Sequence, residues 1–141
     1  MQKILPLFLL LVLLFSYSSA NDFEDVKKIT LKKDEQTKIL VKYDTYKRVL
    51  AFRWTLYVND GLIVFHSYDK RVAQTILYLN TRNQSFKVYL KEKGSEPYEP
   101  PYFLVKFKDF DFEKNEAIFE LFLSDRDTLV EIKYLKNEKK K

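Results

Sequence analysis

The alternation of apolar and polar positions is clearest between Lys47 and Tyr68. In the first half of this stretch every even position from Leu50 to Val58 is apolar, whereas the odd positions are mixed. A period of two places successive side chains on opposite faces of a strand. The pattern therefore predicts a strand that buries its even face, followed after residues 59–61 by the second strand of a β-hairpin.

The dipeptide Asp60-Gly61 sets the register expected for this hairpin. Gly61 can adopt a positive φ at no steric cost, and a two-residue loop formed by Asp60 and Gly61 is favoured. The side chains that this loop brings to the Trp54 face are Ile63, Phe65 and Ser67, and those that it leaves on the other face are Arg53, Thr55, His66 and Tyr68. A three-residue loop with Gly61 as a bulge would instead carry His66 to the Trp54 face, because a one-residue slip exchanges the faces.

Further short apolar segments, separated by polar turns about every ten residues, continue along the chain. The predicted strands are 26–32, 38–43, 47–58, 62–68, 72–79, 85–92, 103–113, 117–123 and 129–135. Residues 72–79 also fit a short helix capped by Asp69, but a strand is favoured because Thr, Ile, Leu and Tyr cluster at the end of the segment. The pattern predicts an all-β fold: a single antiparallel β-sandwich, Ig-like or similar, of about 8–9 strands. A closed β-barrel is the alternative.

The N-terminal residues carry the features of a secretory signal peptide. Lys3 precedes an apolar run over residues 4–15, and small residues occupy positions 18–20. The run is shorter than the roughly 20 residues of a transmembrane helix. We therefore expect a signal peptide over 1–20, a β-sandwich domain over 21–135 and a basic tail over 136–141. This organisation predicts a periplasmic or secreted protein, with no integral membrane span after signal cleavage.

Composition narrows the function classes further. The chain has no cysteine, which excludes thiol catalysis, disulfides and cysteine-based metal sites. The whole chain has 25 basic and 20 acidic residues, and the two signs alternate through the body of the predicted domain, a distribution that does not favour nucleic acid as a partner. A domain of this length can bury enough apolar surface to fold without disulfides.

The single histidine, His66, is the first candidate for chemistry. Ser67 and Asp69 lie close to it in sequence. Neighbouring strand residues point to opposite faces, so His66 and Ser67 are not expected to form a nucleophile–base pair. No Gly-x-Ser-x-Gly motif marks a serine elsewhere. We predict no catalytic residue and a non-enzymatic protein.

An acidic cluster is the candidate for a metal site, and calcium is the ion that its oxygen ligands would suit. Its members are Asp109, Asp111, Glu113, Asn115 and Glu116. The cluster lacks the glycine that an EF-hand loop needs, and Phe110 and Phe112 are expected to point into the core, so the acids between them should face solvent. We therefore predict no metal ligand and no cofactor.

The irregular stretch 94–102 is the candidate for protein contacts, and it is expected to cross between the two sheets. The proposed contact residues are Pro97, Tyr98, Pro100, Pro101 and Tyr102. Prolines lower the ordering cost of binding, and exposed tyrosines offer a large contact area with a polar end. A cleavable signal followed by a Lys-rich, cysteine-free product fits a bacterial periplasm, so we predict a protein that acts through contacts with a protein partner in the bacterial cell envelope. The alternative is a β-barrel that binds an apolar small molecule or lipid, enclosed by the rows of Trp54, Phe65, Phe103 and Phe119.

Overall fold

The computed structural model describes residues 25–92, 94, 97–126 and 128–135. The predicted signal peptide and the basic tail lie outside these residues. Nine strands and no helix occur within them. The strands are β1 (Asp25–Lys32), β2 (Thr37–Tyr43), β3 (Tyr46–Val58), β4 (Gly61–Tyr68), β5 (Arg71–Tyr78), β6 (Ser85–Tyr89), β7 (Tyr102–Asp111), β8 (Glu116–Ser124) and β9 (Val130–Leu135).

The strands form two antiparallel sheets. Sheet A has the order β1-β8-β7-β6, and sheet B has the order β5-β4-β3-β2-β9. The two sheets pack against each other and do not close, so the predicted β-sandwich is confirmed and the closed barrel is not formed. The ambiguous segment 72–79 is a strand, as favoured, and supplies the edge strand β5 of sheet B.

Large aromatic side chains from both sheets fill the space between them. Phe52 of β3 meets Phe119 of β8 edge to face, with ring centroids 5.3 Å apart. Trp54 adds a directional contact, because its indole Nε1 donates a hydrogen bond to the Leu31 carbonyl oxygen at 2.8 Å. The largest fully buried side chains are Trp54, Phe52, Phe103, Phe107, Phe119, Leu31, Ile39, Leu50, Leu62, Leu77, Leu90 and Leu121.

The β3–β4 turn differs from the favoured prediction by one residue. Asn59 and Asp60 form the loop with φ values of 50° and 62°, and none of the described glycines has a positive φ. Gly61 is already the first residue of β4. A Cβ atom there would lie 3.0 Å from both Ile76 Cγ2 and Tyr78 Cε1, so Gly61 serves close packing rather than turn geometry.

This turn reverses the faces expected for β4. Val64 lies opposite Trp54 and His66 lies opposite Phe52, so the even residues of β4 face the core. The prediction that Ile63, Phe65 and Ser67 share the Trp54 face is therefore wrong. The placement of His66 is the one that the alternative loop implied, although it arises from a two-residue loop.

A β-bulge at Thr55 exchanges the two faces at the end of β3. Trp54 pairs with Val64 but Leu56 pairs with Ile63, which leaves one extra residue in β3. Beyond the bulge Tyr57 points inward, while Leu56 and Val58 are 46% and 48% exposed. The expectation of one continuous buried even face is wrong for these last two residues.

Strand β7 carries a matching irregularity between Phe107 and Asp109. It keeps Phe110 in the core, where the Phe110 ring stacks on Tyr57 with centroids 4.4 Å apart. Phe112 lies just beyond the end of β7 and is 74% exposed, so the prediction that it points inward is wrong.

Substitutions of the two residues that follow the bulge should show which of them faces the core. We expect Leu56→Lys to change the free energy of unfolding by less than about 0.5 kcal/mol, because Leu56 is half exposed on the outer face. Tyr57→Ala should lower it by about 2–3 kcal/mol through loss of the ring stacked on Phe110. Urea unfolding measures both values, and a larger loss for Leu56→Lys would contradict the bulged register.

Candidate functional site: a groove beside strand β6

An open groove of about 650 Å³ runs along one side of the sandwich, where β5 of sheet B and β6 of sheet A are the edge strands. We call it the β6 groove. Its inner surface includes His66, Tyr68, Val88 and Leu90, and its rim includes Tyr46, Arg48, Asp69, Arg71, Lys87, Tyr89, Lys91 and Glu92. The alternation within β4 and β6 places the even residues of both strands at its inner surface.

The carbonyl group of Leu90 connects the two sheets within this groove. Leu90 N–H donates to the Pro101 carbonyl oxygen at 2.9 Å, continuing the pairing of β6 with β7. Pro101 has no N–H with which to complete the pair. The Leu90 oxygen instead accepts hydrogen bonds from the Tyr68 hydroxyl at 3.0 Å and from Arg48 Nη1 at 3.4 Å. Burial raises the pKa of Tyr68, so the phenol keeps its proton at neutral pH.

Ion pairs organise the rim. Arg48 Nη2 lies 3.3 Å from Asp69 Oδ2, and the Arg48 guanidinium lies over the Tyr46 ring at 4.4 Å from its centroid. Arg71 of β5 pairs with Glu92, just beyond β6, and so links the two sides of the groove. Exposed ion pairs contribute little to stability. Their role here is to present charges of both signs beside an apolar inner surface.

His66 lies at the inner surface as a neutral ring. It stacks on Phe86 of β6, with centroids 4.2 Å apart and an interplanar angle of 12°, and its Nε2 is 3.3 Å from Thr75 Oγ1. Burial lowers the pKa of His66, because desolvation penalises the charged imidazolium. Ser67 points to the opposite face of β4, in line with the alternation of the strand.

Strand β6 is an edge with outward-pointing main-chain groups. The bonds from Leu90 to Pro101 and from Phe107 to Gln84 show that the even residues of β6 pair with β7. The N–H and C=O groups of Ser85, Lys87 and Tyr89 therefore point away from β7. Within the described residues no main-chain partner is found for the N–H and C=O groups of these three residues. They form a short row of donors and acceptors along the groove.

The predicted contact loop adjoins this groove, but its residues divide into two groups. Pro97 and Tyr98 are exposed, whereas Pro100, Pro101 and Tyr102 are buried. The exposed fraction is 78% for Tyr98 and 6% for Tyr102. The loop joins β6 to β7, which are neighbours in sheet A, so the prediction that it crosses between sheets is wrong. Pro100, Pro101 and Tyr102 thus offer little surface to a partner, and the Tyr102 ring is covered on the outer face of sheet A by contacts with Tyr89, Lys87 and Arg126.

Glu99 anchors this loop to β6 and to the β8–β9 connection. Its carboxylate accepts hydrogen bonds from the Tyr89 hydroxyl at 2.8 Å, from Lys87 Nζ at 3.2 Å and from Arg126 Nη2 at 2.5 Å. These donors lower the pKa of Glu99 to about 2, with the Tyr89 hydroxyl as the largest cause. The carboxylate therefore stays ionised, and the loop stays attached, through the mildly acidic range.

The acidic cluster at the end of β7 shapes a turn. Asp109 Oδ1 accepts a hydrogen bond from Phe110 N–H, and Asp111 Oδ1 accepts hydrogen bonds from the N–H groups of Glu113 and Lys114. Over the described ranges, no group of three or more His, Asp or Glu side chains is arranged to hold a metal ion.

The sequence did not indicate the groove itself. Arg48, Arg71 and Glu92 come from three segments, and only the packing of the sheets places them around one opening. The sequence held one local indication of this site. Pro101 has no N–H, so the main-chain oxygen opposite it in the neighbouring strand needs a hydrogen-bond donor from elsewhere.

Comparison of the chain with protein-family models, with curated proteins and with solved structures found no match. The part of the chain that the structure describes includes no helix with the length and apolar character to cross a membrane.

Removal of the Tyr68 hydroxyl should weaken the connection between the sheets. We expect Tyr68→Phe to lower the free energy of unfolding by about 1–2 kcal/mol, because the Leu90 oxygen then keeps only the longer bond from Arg48. Tyr46→Phe is the matched control, since Tyr46 lies on the exposed rim. Urea unfolding of both variants tests this, and equal losses would contradict the assigned role of Tyr68.

His66 should give the protein a stability that depends on pH around and below the usual imidazole pKa of about 6.5. The folded-state pKa lies below the usual 6.5, so the unfolded chain binds more protons in this range, and acidification lowers the free energy of unfolding. His66→Phe should flatten the profile, because the chain has one histidine. Glu99 acts in a separate window: its contribution is full above about pH 4.5 and is lost as the pH falls towards about 2. If the free energy of unfolding of His66→Phe changed with pH as steeply as that of the wild type, the assignment of this pH dependence to His66 would be contradicted.

Proposed function

We propose that this protein is a non-enzymatic binding module of the bacterial cell envelope, periplasmic or secreted, that holds an extended segment of a partner polypeptide in the β6 groove. The observation that carries the proposal is the row of outward main-chain groups on Ser85, Lys87 and Tyr89 beside the groove. An extended chain can add to such an edge as another strand, with main-chain hydrogen bonds giving affinity.

The side chains around the edge fit a polypeptide ligand. Alternate residues of an added strand would face the inner surface near Val88 and Leu90, while the others would meet the rim. The rim carries both charge signs in the pairs Arg48–Asp69 and Arg71–Glu92. Such mixed polarity suits the amide groups and varied side chains of a peptide better than a single small anion or cation.

The predicted contact tyrosine belongs to the same surface. Tyr89 lines the groove and also donates to Glu99, so the exposed Tyr98 is attached next to the binding edge. Exposed tyrosines are frequent in protein interfaces because they combine apolar area with a hydroxyl group. The proposal therefore retains Tyr98 as a contact residue and adds Tyr46 and Tyr89.

The groove also suits binding better than catalysis. The ionisable side chains Arg48, Asp69, Arg71 and Glu92 pair with one another, and His66 is held against Phe86 with a lowered pKa. Side chains held in such pairs and stacks keep a defined arrangement around the groove, which favours recognition of a partner. Export to the envelope rests on the signal-peptide pattern of residues 1–20.

A single proline substitution in β6 tests whether the partner adds to this edge as a strand. Lys87→Pro removes an N–H that points away from β7, a position where an edge strand tolerates proline. We expect it to weaken partner capture at least about tenfold through the lost hydrogen bond and the blocked edge. Lys87→Ala is the control, because it removes the side chain and its contact with Glu99 but keeps the N–H.

Capture is measured in cells by a photo-crosslinking amino acid placed at Tyr46 in the groove, with Phe112 as the exposed control position. A discrete adduct at Tyr46 that is retained in Lys87→Ala and lost in Lys87→Pro supports the proposal. Equal adducts in both variants, or adducts at Phe112 alone, would overturn it.

A further inference from the structure

The outer face of sheet B, opposite to the core, carries an apolar surface. Leu56 of β3 lies directly beside Ile63 of β4, which lies beside Ile76 of β5, so three aliphatic residues form one row across the sheet. Leu56 and Ile76 are 46% and 41% exposed. Val58 and Val72 extend this exposed surface on the same face.

Basic residues lie to one side of this apolar surface, on β3 and on its neighbours β2 and β9. The outward-facing charged side chains of sheet B within the described strands are Lys38, Lys42, Lys47, Arg53 and Lys133, against a single acid, Glu131. The outer face of sheet A is balanced by contrast, with Lys28, Lys32, Lys87, Lys106 and Lys108 against Asp109, Asp111, Glu116 and Glu120. The excess of positive charge is therefore a property of one face of the sandwich.

We propose that the outer face of sheet B rests on an anionic lipid membrane surface, with Leu56, Val58 and Ile76 in the headgroup–acyl boundary and the lysines of β2, β3 and β9 beside them against the anionic headgroups. A lipid surface supplies apolar contact and negative charge side by side, which this face requires. Each lysine near an anionic membrane adds attraction, and buried apolar side chains add to it.

A second copy of the chain is a poorer occupant. Stacking two copies of this face would bring like charges together, since basic residues outnumber acids on it. The face is also distinct from the β6 groove, which opens at the side of the sandwich, so membrane contact leaves the groove accessible. The inference therefore does not depend on the proposed polypeptide ligand.

Vesicle co-sedimentation tests the inference. The chain used begins at Asn21, because the described strands and core contacts all lie after it and the apolar residues 4–15 would bind lipid by themselves. The probes are vesicles of phosphatidylcholine alone and of phosphatidylcholine with phosphatidylglycerol. We expect binding to the anionic vesicles only, with loss near about 0.5 M salt, where screening is strong.

Two matched pairs of variants locate the surface. Lys38→Gln/Lys133→Gln should weaken binding about 30-fold, whereas Lys28→Gln/Lys32→Gln, with the same charge change on sheet A, should have little effect. Leu56→Thr/Ile76→Thr should also weaken binding, whereas Phe112→Thr/Leu129→Thr, at exposed apolar positions elsewhere, should not. Urea unfolding checks that each variant remains folded.

Three outcomes would overturn the inference. They are an absence of binding to either vesicle, equal losses in the sheet A and sheet B variants, and a loss caused only by Lys139→Gln/Lys140→Gln/Lys141→Gln in the C-terminal tail. Soluble poly-glutamate serves as a further probe. If the protein bound poly-glutamate through Lys38 and Lys133 but did not bind vesicles, the partner of this face would be an acidic polypeptide and not a lipid surface.

Discussion

Two hydrogen bonds from aromatic side chains connect the sheets, and the placement of the proposed binding groove depends on them. Trp54 Nε1 donates to Leu31 in β1, and the Tyr68 hydroxyl donates to Leu90 just beyond β6. Strands β1 and β6 are the two edges of sheet A. Apolar packing is non-directional, whereas a buried carbonyl that loses its donor costs about 1–3 kcal/mol. The two bonds therefore fix how sheet A lies across the centre of sheet B.

The β6 groove is a consequence of this arrangement. The pairing of β6 with β7 reaches Pro101, where the ladder has no further donor, and Tyr68 and Arg48 occupy that position from sheet B. The same Arg48 pairs with Asp69 on the rim. The groups that connect the sheets are thus also the groups that shape the proposed binding surface, so changes to one should affect the other.

The bulge at Thr55 has the corresponding effect on the outer face of sheet B. By turning Tyr57 inward it completes the core contact with Phe110, and by the same shift it turns Leu56 outward beside Ile63. An extra residue in one strand thereby moves apolar side chains from the core to the surface. The bulge thus supplies the β3 members of the exposed aliphatic row, whereas the turn at Asn59 and Asp60 and the pairing of β4 with β5 supply Ile63 and Ile76.

The prediction from sequence succeeded where local rules govern the structure. The alternation in residues 85–90 placed Phe86, Val88 and Leu90 in the core, and the polar turns separated nine strands within the described residues. It failed where one residue changes the register: the turn at Asn59 and Asp60 and the bulge at Thr55 each exchange the faces of a strand. Both sides of β4 are apolar enough to be buried, so the pattern alone could not select its inward face, and the apolar residues Leu56, Tyr57 and Val58 at the end of β3 left the bulge unmarked.

The sequence by itself determined the all-β class, the strand segments and the composition that excludes cysteine chemistry. The tertiary structure decided the strand order, the assembly of Arg48, Arg71 and Glu92 around one groove, and the division of the 97–102 loop into exposed Tyr98 and buried Tyr102. The physical reason is that strand propensity and alternation act between near neighbours. Strand pairing and sheet packing instead depend on contacts between distant segments, which a single pattern of alternating residues does not encode.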